Sequence, residues 1–389
     1  MTVRDPRLRA GASSVPDQRP RGDASSVRDG RLDDEPGPLV RAVARLARLL
    51  LPLPSRPPER IGSVLIVRTD DRVGNALLTV PLARLAQRLL PAARVELLLA
   101  SGRAHVAEGL PDLLVIRFEK TDAFRHPLRF AKFLLAFRRR ADVAIDAAHW
   151  HAFSLTSALL TRWTARRWAI GPARGPAIYS ERVPLPLPGT FEVDAKAALA
   201  VPLAPVAGTA PALAPAVRAP PLETSLGRAP FVSDLREYVA LNPGARKADH
   251  RWPAARYAAL ASALRARRGL RSLVLWGPGE EDLAREVVAA SAGAARLAPA
   301  TGLDELASAL RGARLVITND TGPMHLAVAC GAPVLAVFLD DAGLRWGHPG
   351  ERFAGLVAPD DGAALAAAER LLDLAPLAAE PSPSLQEVP

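Results

Sequence analysis

Short apolar runs alternate along most of this chain with longer segments whose apolar positions recur at helical spacing. From Ile61 onward the pattern predicts strands over 63–68, 95–99, 114–118 and 143–146, with a helix near 77–90. A second series follows: strand 238–241, helix 254–268, strand 272–276, helix 280–290, strand 315–317 leading into a helix, and strand 334–338. Unbroken apolar runs mark strands buried on both faces, and their alternation with helices makes parallel βαβ units. The predicted class is α/β, with two doubly wound, Rossmann-like domains facing a central cleft. Sheets of this kind hold ligands above the carboxyl ends of their strands.

Composition divides the chain further. Residues 1–57 form a basic tail rich in Arg, Asp, Ser, Gly and Pro, expected to be disordered except for an amphipathic helix at about 38–51. There Leu39, Val43, Leu46 and Leu50 share one face and Arg41, Arg45 and Arg48 another. That pattern suits a helix lying on an anionic membrane surface, or one packed on the protein's own body. Residues 58–200 make the first domain, and 201–230, dense in Pro and Ala, an extended linker. Residues 231–375 make the second domain, and 376–389 a tail expected to be disordered.

The 389 residues carry a formal charge of +10, with a sequence pI near 10.7, which calls for an anionic partner. Aromatic residues are 5% of the chain and no nucleic-acid module is recognisable, so a nucleotide or an acidic membrane suits the charge better than a nucleic acid. No stretch of about 20 apolar residues spans a bilayer, and the first residues lack the apolar core of a secretory signal, so the expected compartment is the cytoplasm. The single Cys330 excludes an internal disulfide and reads as a packed core residue. His105, His149 and His151 have no metal-ligand spacing and there is no Asp-x-Asp pair, so no metal is expected.

The chemistry concentrates in residues 315–338. An apolar strand runs into Asn319-Asp320-Thr321-Gly322 and then into a helix carrying His325. The unpaired N–H groups and the dipole of such a helix suit a phosphate, although Asp320 or Thr321 could equally serve as an ordinary helix cap. With His325 and the following Gly331-Ala332-Pro333, the string resembles the C-terminal signature of the lipopolysaccharide heptosyltransferases, glycosyltransferase family nine. Two other segments are similar to that family in the same order. Residues 64–85 place Arg68 at a strand end, Gly74 in the turn and Thr79-Val80-Pro81 in the helix; residues 239–264 contain Pro243-Gly244-Ala245 and Trp252-Pro253. Trp346-Gly347-His348-Pro349 resembles the family's Trp-Gly-Pro loop, with His348 inserted. The resemblance covers roughly residues 61–375.

It implies a GT-B type fold, with the acceptor in the first domain and a nucleotide-sugar in the second. The implied reaction is inverting, metal-independent transfer of heptose from ADP-heptose to a lipid-linked glycan of the lipopolysaccharide core, with peripheral contact to the inner face of the cytoplasmic membrane through residues 38–51. Implied donor contacts are Asp320, Thr321, Gly322 and His325, with Glu280, and Glu281 second to it, at the ribose or base. The loop of Gly244, Arg246, Lys247, His250 and Arg251 would stabilise the departing diphosphate, His250 standing where the family has a Lys. On the acceptor side, Asn75 follows Gly74 at the position of the family's catalytic acid, and Asn cannot accept a proton at neutral pH. Asp70 and Asp71 are the nearest replacements, and either could simply cap the following helix. Two alternatives stay open: a nucleotide-sugar or glycan-binding homologue without turnover, and a nucleotide-sugar 2-epimerase of the same architecture. A Rossmann oxidoreductase is disfavoured, since neither half has Gly-x-Gly-x-x-Gly after its first strand.

Overall fold

The computed structural model describes residues 37–54, 56–150, 153–187, 189–208 and 218–374. The tails expected over 1–36 and 376–389, and residues 209–217 of the expected linker, lie outside the described residues.

The first half contains α1 (Pro38–Leu50), β1 (Ser63–Arg68), α2 (Val73–Leu77), α3 (Val80–Leu89), β2 (Arg94–Ala100), β3 (Leu114–Phe118), α4 (Asp122–Arg125) and α5 (Pro127–Phe137). It continues with β4 (Ala141–Asp146), α6 (Leu155–Thr164), β5 (Ala165–Pro172), β6 (Glu181–Val183) and α7 (Glu192–Ala197). The second half contains β7 (Tyr238–Asn242), α8 (Ala254–Arg268), β8 (Arg271–Val274), α9 (Glu281–Ala290), β9 (Ala295–Leu297) and α10 (Leu303–Gly312). After these come β10 (Leu315–Asn319), α11 (Gly322–Ala329), β11 (Val334–Phe338), β12 (Phe353–Val357) and α12 (Asp361–Leu372).

The strands form two six-stranded sheets, ordered β3-β2-β1-β4-β5-β6 and β12-β11-β10-β7-β8-β9, with every pairing parallel. Counted from the first strand of each half, the two orders are the same. Direction reverses between β1 and β4 and again between β7 and β10, so the carboxyl ends of these four strands open the crevices where ligands bind. The helix expected near 77–90 is α3, and a short helix that the sequence did not predict, α2, stands before it in place of part of the polar turn. Thr79 precedes α3, which has Pro81 in its first turn. Lacking an N–H, Pro81 cannot extend the hydrogen-bond ladder of α2, but it fits the start of a new helix.

Alternation along the strands sorts the core into layers. Val64, Ile66, Leu97, Leu99, Val143 and Ile145 pack under α2, α3 and α7, and the same core continues through Ala240, Val316, Val334 and Ala336 of the second sheet with α10 and α11. One apolar core therefore joins the two halves. The other face of the first sheet packs against α1, α5 and α6, and the other face of the second against α8, α9 and α12. Cys330 lies inside the joint core, where burial pushes its thiol up to about 11.

The Pro/Ala-rich segment is no free spacer over residues 222–227. Leu222 and Leu226 are buried. Thr224 Oγ1 donates to Val106 O at 2.8 Å, and Glu223 pairs with Arg84 at 2.8 Å, both in the first half. Arg311 of α10 donates to the carbonyls of Leu226 and Gly227, each at 3.0 Å. Gly227 has φ +70°, and a Cβ there would meet the Ala307 backbone at 2.5 Å, so this strap needs glycine. Gly208 has a similar φ of +71° but faces open space. Gly227→Ala is expected to lose about 1–3 kcal/mol more than Gly208→Ala, the cost of overpacking beyond that of backbone strain. Urea unfolding of the two variants measures the difference.

Candidate active site in the cleft

On the first-half side, the end of β1 delivers Arg68 and the loop after β4 delivers His149. Arg68 is 1% exposed, so its solvation must come from protein groups. It pairs with Asp70 and donates to Ala147 O and to His149 Nε2, the last at 2.7 Å. Behind His149, Glu192 Oε1 lies 3.5 Å from Nδ1. Lys196, fully buried one turn further along α7, pairs with Glu192 at 3.0 Å and donates to Ala147 O at 3.3 Å. Burial raises Glu192, but Lys196 and His149 outweigh it and hold the carboxyl below the usual range. Burial, aided by the Arg68 and Lys196 cations and opposed by Glu192, pushes His149 down to about 4. His149 is thus neutral at pH 7. Because a guanidinium can only donate, its Nε2 is the accepting nitrogen and the ring proton sits on Nδ1, toward Glu192.

Asn75 is oriented by the same logic. Its Nδ2 lies 2.9 Å from Asp70 Oδ1 and 3.0 Å from His149 Nε2, and both partners are acceptors. The amide nitrogen, not the oxygen, must face them. Nearby, Asp146 accepts from Tyr179 Oη at 2.6 Å and from Ala148 N at 2.8 Å, and burial still raises its carboxyl to about 6. The two candidate aspartates part company. Asp70 belongs to this cluster, whereas Asp71 is 67% exposed and pairs with Arg103 at 3.0 Å on the surface.

On the second-half side, Asn319 ties two loops together. Its Oδ1 accepts from Trp252 N at 3.0 Å, and its Nδ2 donates to Pro243 O at 2.8 Å and Gly244 O at 3.3 Å. Asn242 donates to Thr318 Oγ1 at 3.0 Å and Thr321 Oγ1 at 3.4 Å. Gly244 and Glu280 are in contact, since a Cβ on Gly244 would meet Glu280 Oε2 at 2.0 Å; that carboxylate accepts from Gly277 N at 3.1 Å. Thr321 and Gly322 open α11, whose first-turn N–H groups have no partner within the helix. Burial raises Asp320 to about 6, with His250 and Arg345 opposing and Asp340 adding to the rise. Arg246 and Lys247 are exposed on the loop after β7, while Arg251 is turned inward to donate to Ala245 O at 2.9 Å.

The two sides meet. A Cβ on Gly74 would lie 2.5 Å from His325 Cδ2, and one on Gly322 would lie 3.8 Å from Gly74 N, so α2 rests on α11. His325 Nδ1 and His348 Nε2 are 2.8 Å apart. Burial holds His325 well below its ordinary value and His348 at about 4, so the neutral pair shares one proton along this contact. Trp346 stands edge-on to His149 at 5.8 Å. The Asp70–Asn75 cluster and the Asp320 turn therefore belong to one cleft. Sequence reasoning missed Glu192, Lys196, Asp146 and Tyr179, and set His149 aside. The only local signal was the i,i+4 spacing of Glu192 and Lys196, a spacing that usually marks a solvated helix face. Among the described residues no group of three His, Cys, Asp or Glu is placed to hold a metal ion, and no helix is long and apolar enough to cross a membrane.

Residues 130–363 match the sequence profile of glycosyltransferase family 9 (heptosyltransferase). The fold is similar to that of the Escherichia coli heptosyltransferase WaaC solved with ADP, at 24% identity and TM-score 0.59, covering 77% of this chain and 94% of that one. It is also similar to a family 9 glycosyltransferase from Veillonella parvula, at 17% identity and TM-score 0.65, covering 80% and 97%. The Escherichia coli ADP-heptose lipopolysaccharide heptosyltransferase II matches at 20% identity and TM-score 0.59, covering 80% and 98%. At these identities the likeness establishes the shared architecture. No curated protein sequence matches the chain.

The raised Asp320 carboxyl makes stability depend on pH in a defined direction. Between its ordinary value of 3.8 and about 6 the unfolded chain gives up this proton while the folded chain keeps it. This contribution to stability therefore falls as pH rises through that window. Asp320→Asn is expected to raise the melting temperature relative to the unchanged protein at pH 7, and to leave it nearly unchanged at pH 3.5. Thermal unfolding at the two pH values checks the sign.

Proposed function

The chain belongs to glycosyltransferase family 9, and we propose that it transfers heptose from ADP-heptose to a lipid-linked glycan of the lipopolysaccharide core, with inversion and without a metal ion. The observation that carries this reading is the meeting of two switch points in one cleft: the first turn of α11 on one side and the Asp70–Asn75 cluster on the other. The ADP in the WaaC structure supports an adenine nucleotide as the donor's carrier. In this reading the donor diphosphate sits on the N–H groups that open α11, at Thr321 and Gly322, with Asp320 and His325 beside it. Glu280, against Gly244, takes the ribose. Arg246, Lys247 and His250, with the inward-turned Arg251 fixing their loop, meet the charge that grows on the diphosphate as it leaves.

The acceptor hydroxyl attacks the anomeric carbon from the face opposite the diphosphate. A new carbon–oxygen bond forms as the bond to the β-phosphate oxygen breaks, which inverts the configuration. The hydroxyl proton must go to a base. Asp70 fills that role better than Asp71, because Arg68 and Asn75 hold its carboxylate at the cleft while Asp71 is engaged on the surface. Asn75 then acts as a donor that aims Asp70, in the place where the family carries its acid. In this reading the acceptor's lipid anchor and the arginines of α1 suit work at the inner face of the cytoplasmic membrane. One observation favours a second reading: Asn75 itself, which would suit a homologue that binds a nucleotide-sugar without turning it over.

A thermal-shift panel of nucleotide-sugars tests the donor. A ligand at a hundred times its dissociation constant should stabilise the fold by about 2.7 kcal/mol, and no shift with any ADP- or UDP-sugar would count against the transferase reading. Asp70→Asn is expected to lower kcat by about 100-fold or more with the donor-induced shift preserved, while Asp71→Asn stays near the unchanged protein. Full turnover in Asp70→Asn removes Asp70 as the base. Donor binding without transfer to any of a panel of glycan acceptors supports the second reading.

A further inference from the structure

The outward face of the first sheet is covered by a single helical layer in the order α5, α6, α1. Phe130, Phe133 and Leu134 of α5 pack with Leu65, Val67 and Leu98 of the sheet and Leu160 of α6. Ala44 and Ala47 of α1 pack with Ala144, Ala158, Ala165 and Ala169. Trp163 Nε1 of α6 donates to Leu134 O at 2.6 Å on one side, and Arg162 Nε of α6 donates to Ala47 O at 3.3 Å on the other. The flanking helices are thus fixed to the same support.

Both turn large apolar side chains outward. In α1 the alanines go inward, which leaves Leu39, Leu46, Leu49 and Leu50 exposed at 75%, 53%, 78% and 68%. In α4 and α5, Phe124, Leu128 and Leu135 are exposed at 90%, 80% and 70%. Cations surround these groups. Residues 37–54 hold three arginines and no acid; residues 122–140 hold six Lys or Arg, of which Arg140 is held by the buried Glu96 at 2.7 Å, and one acid, Asp122. That acid is buried and already pairs with Arg129 at 3.1 Å. A face ordered for water alone would reverse this distribution, with the leucines inside.

We propose that α4–α5 and α1 together form a docking face for an anionic lipid bilayer, with the leucines and Phe124 entering the acyl boundary and the arginines and Lys132 meeting the headgroups. Charge complementarity selects this occupant. Two copies of the chain meeting through this face would bring like-charged groups together, whereas an anionic bilayer offers both an apolar interior and a negative surface. Two helices at either edge of one layer also fix how the protein sits, which a single short helix does not. A cavity of about 290 Å³ opens beside α4–α5 at the carboxyl ends of β2 and β3, lined by Phe118, Phe130, Phe133, Arg117 and Arg129 among others. Docking through α5 brings that cavity to the lipid surface.

The face is tested without donor or acceptor, so the result is separable from the transferase reading. The full chain is floated with vesicles of phosphatidylcholine alone or mixed with phosphatidylglycerol. Binding is expected on the mixed vesicles, with loss on phosphatidylcholine and at high salt. Phe124→Ser with Leu128→Ser and Leu135→Ser, and separately Leu39→Ser with Leu46→Ser and Leu50→Ser, should each weaken binding about tenfold or more. All six positions are exposed, and circular dichroism confirms that each variant is folded. Unchanged binding of the α4–α5 variant overturns the proposal, as does equal binding to phosphatidylcholine alone. A concentration-dependent dimer that disappears in the α4–α5 variant would also overturn it, by assigning the face to a second copy.

Discussion

Gly74 has no side chain, and the cleft depends on that absence. His325 occupies the space where a Cβ would stand, 2.5 Å from its own Cδ2, so α2 can rest directly on α11. The close approach puts Asn75, the next residue, across from the first turn of α11. It also lets the apolar cores of the two sheets run into one another instead of ending in separate domains. Any larger residue at position 74 would lift α2 from α11 and separate the groups that hold the two substrates in the proposed reaction.

Around this contact the protein accumulates buried charge. Arg68 and Lys196 are almost wholly removed from water and are balanced by Asp70, Glu192 and the carbonyl of Ala147, to which both donate. Taking ions out of water is costly unless each hydrogen-bonding group finds a partner, and breaking one such pair leaves the other exposed to the full desolvation penalty. The histidines here are neutral, which leaves His149 Nε2 one lone pair, shared between Arg68 at 2.7 Å and Asn75 at 3.0 Å, and keeps the His325–His348 contact free of like-charge repulsion.

The fold was largely legible because its strands are buried on both faces. Ser63–Arg68, Leu114–Phe118 and Val334–Phe338 announce themselves as apolar runs, and the structure has strands with those bounds. Ala165–Pro172 was missed, since Arg166 and Arg167 interrupt its apolar pattern at an exposed end. The short helix α2 was missed because its five residues, Val73–Leu77, follow a polar turn and include Gly74 and Asn75, which are poor helix formers. At the site, local strings pointed to the Asp320 turn, Gly244 and Glu280, the last two of which the fold brings into contact. They were not enough to find His149 and Glu192, which lie 74 residues from Asn75 and further still, and whose burial has no signature in their own neighbourhoods. The choice between Asp70 and Asp71 needed the side-chain directions that only the folded turn supplies.

The fixed amide of Asn75 makes the exchange of residues at this site a coupled one. Its nitrogen is 2.9 Å from Asp70 Oδ1, so an aspartate at position 75 would face a second carboxylate at the distance now spanned by a hydrogen bond. Two carboxylates that close cannot both ionise, and one would retain a proton near neutrality. An aspartate introduced at position 75 would therefore share a proton with Asp70 and would not add a second free carboxylate. Because one hydrogen bond joins positions 70 and 75, the effect of a substitution at either is set by the residue at the other.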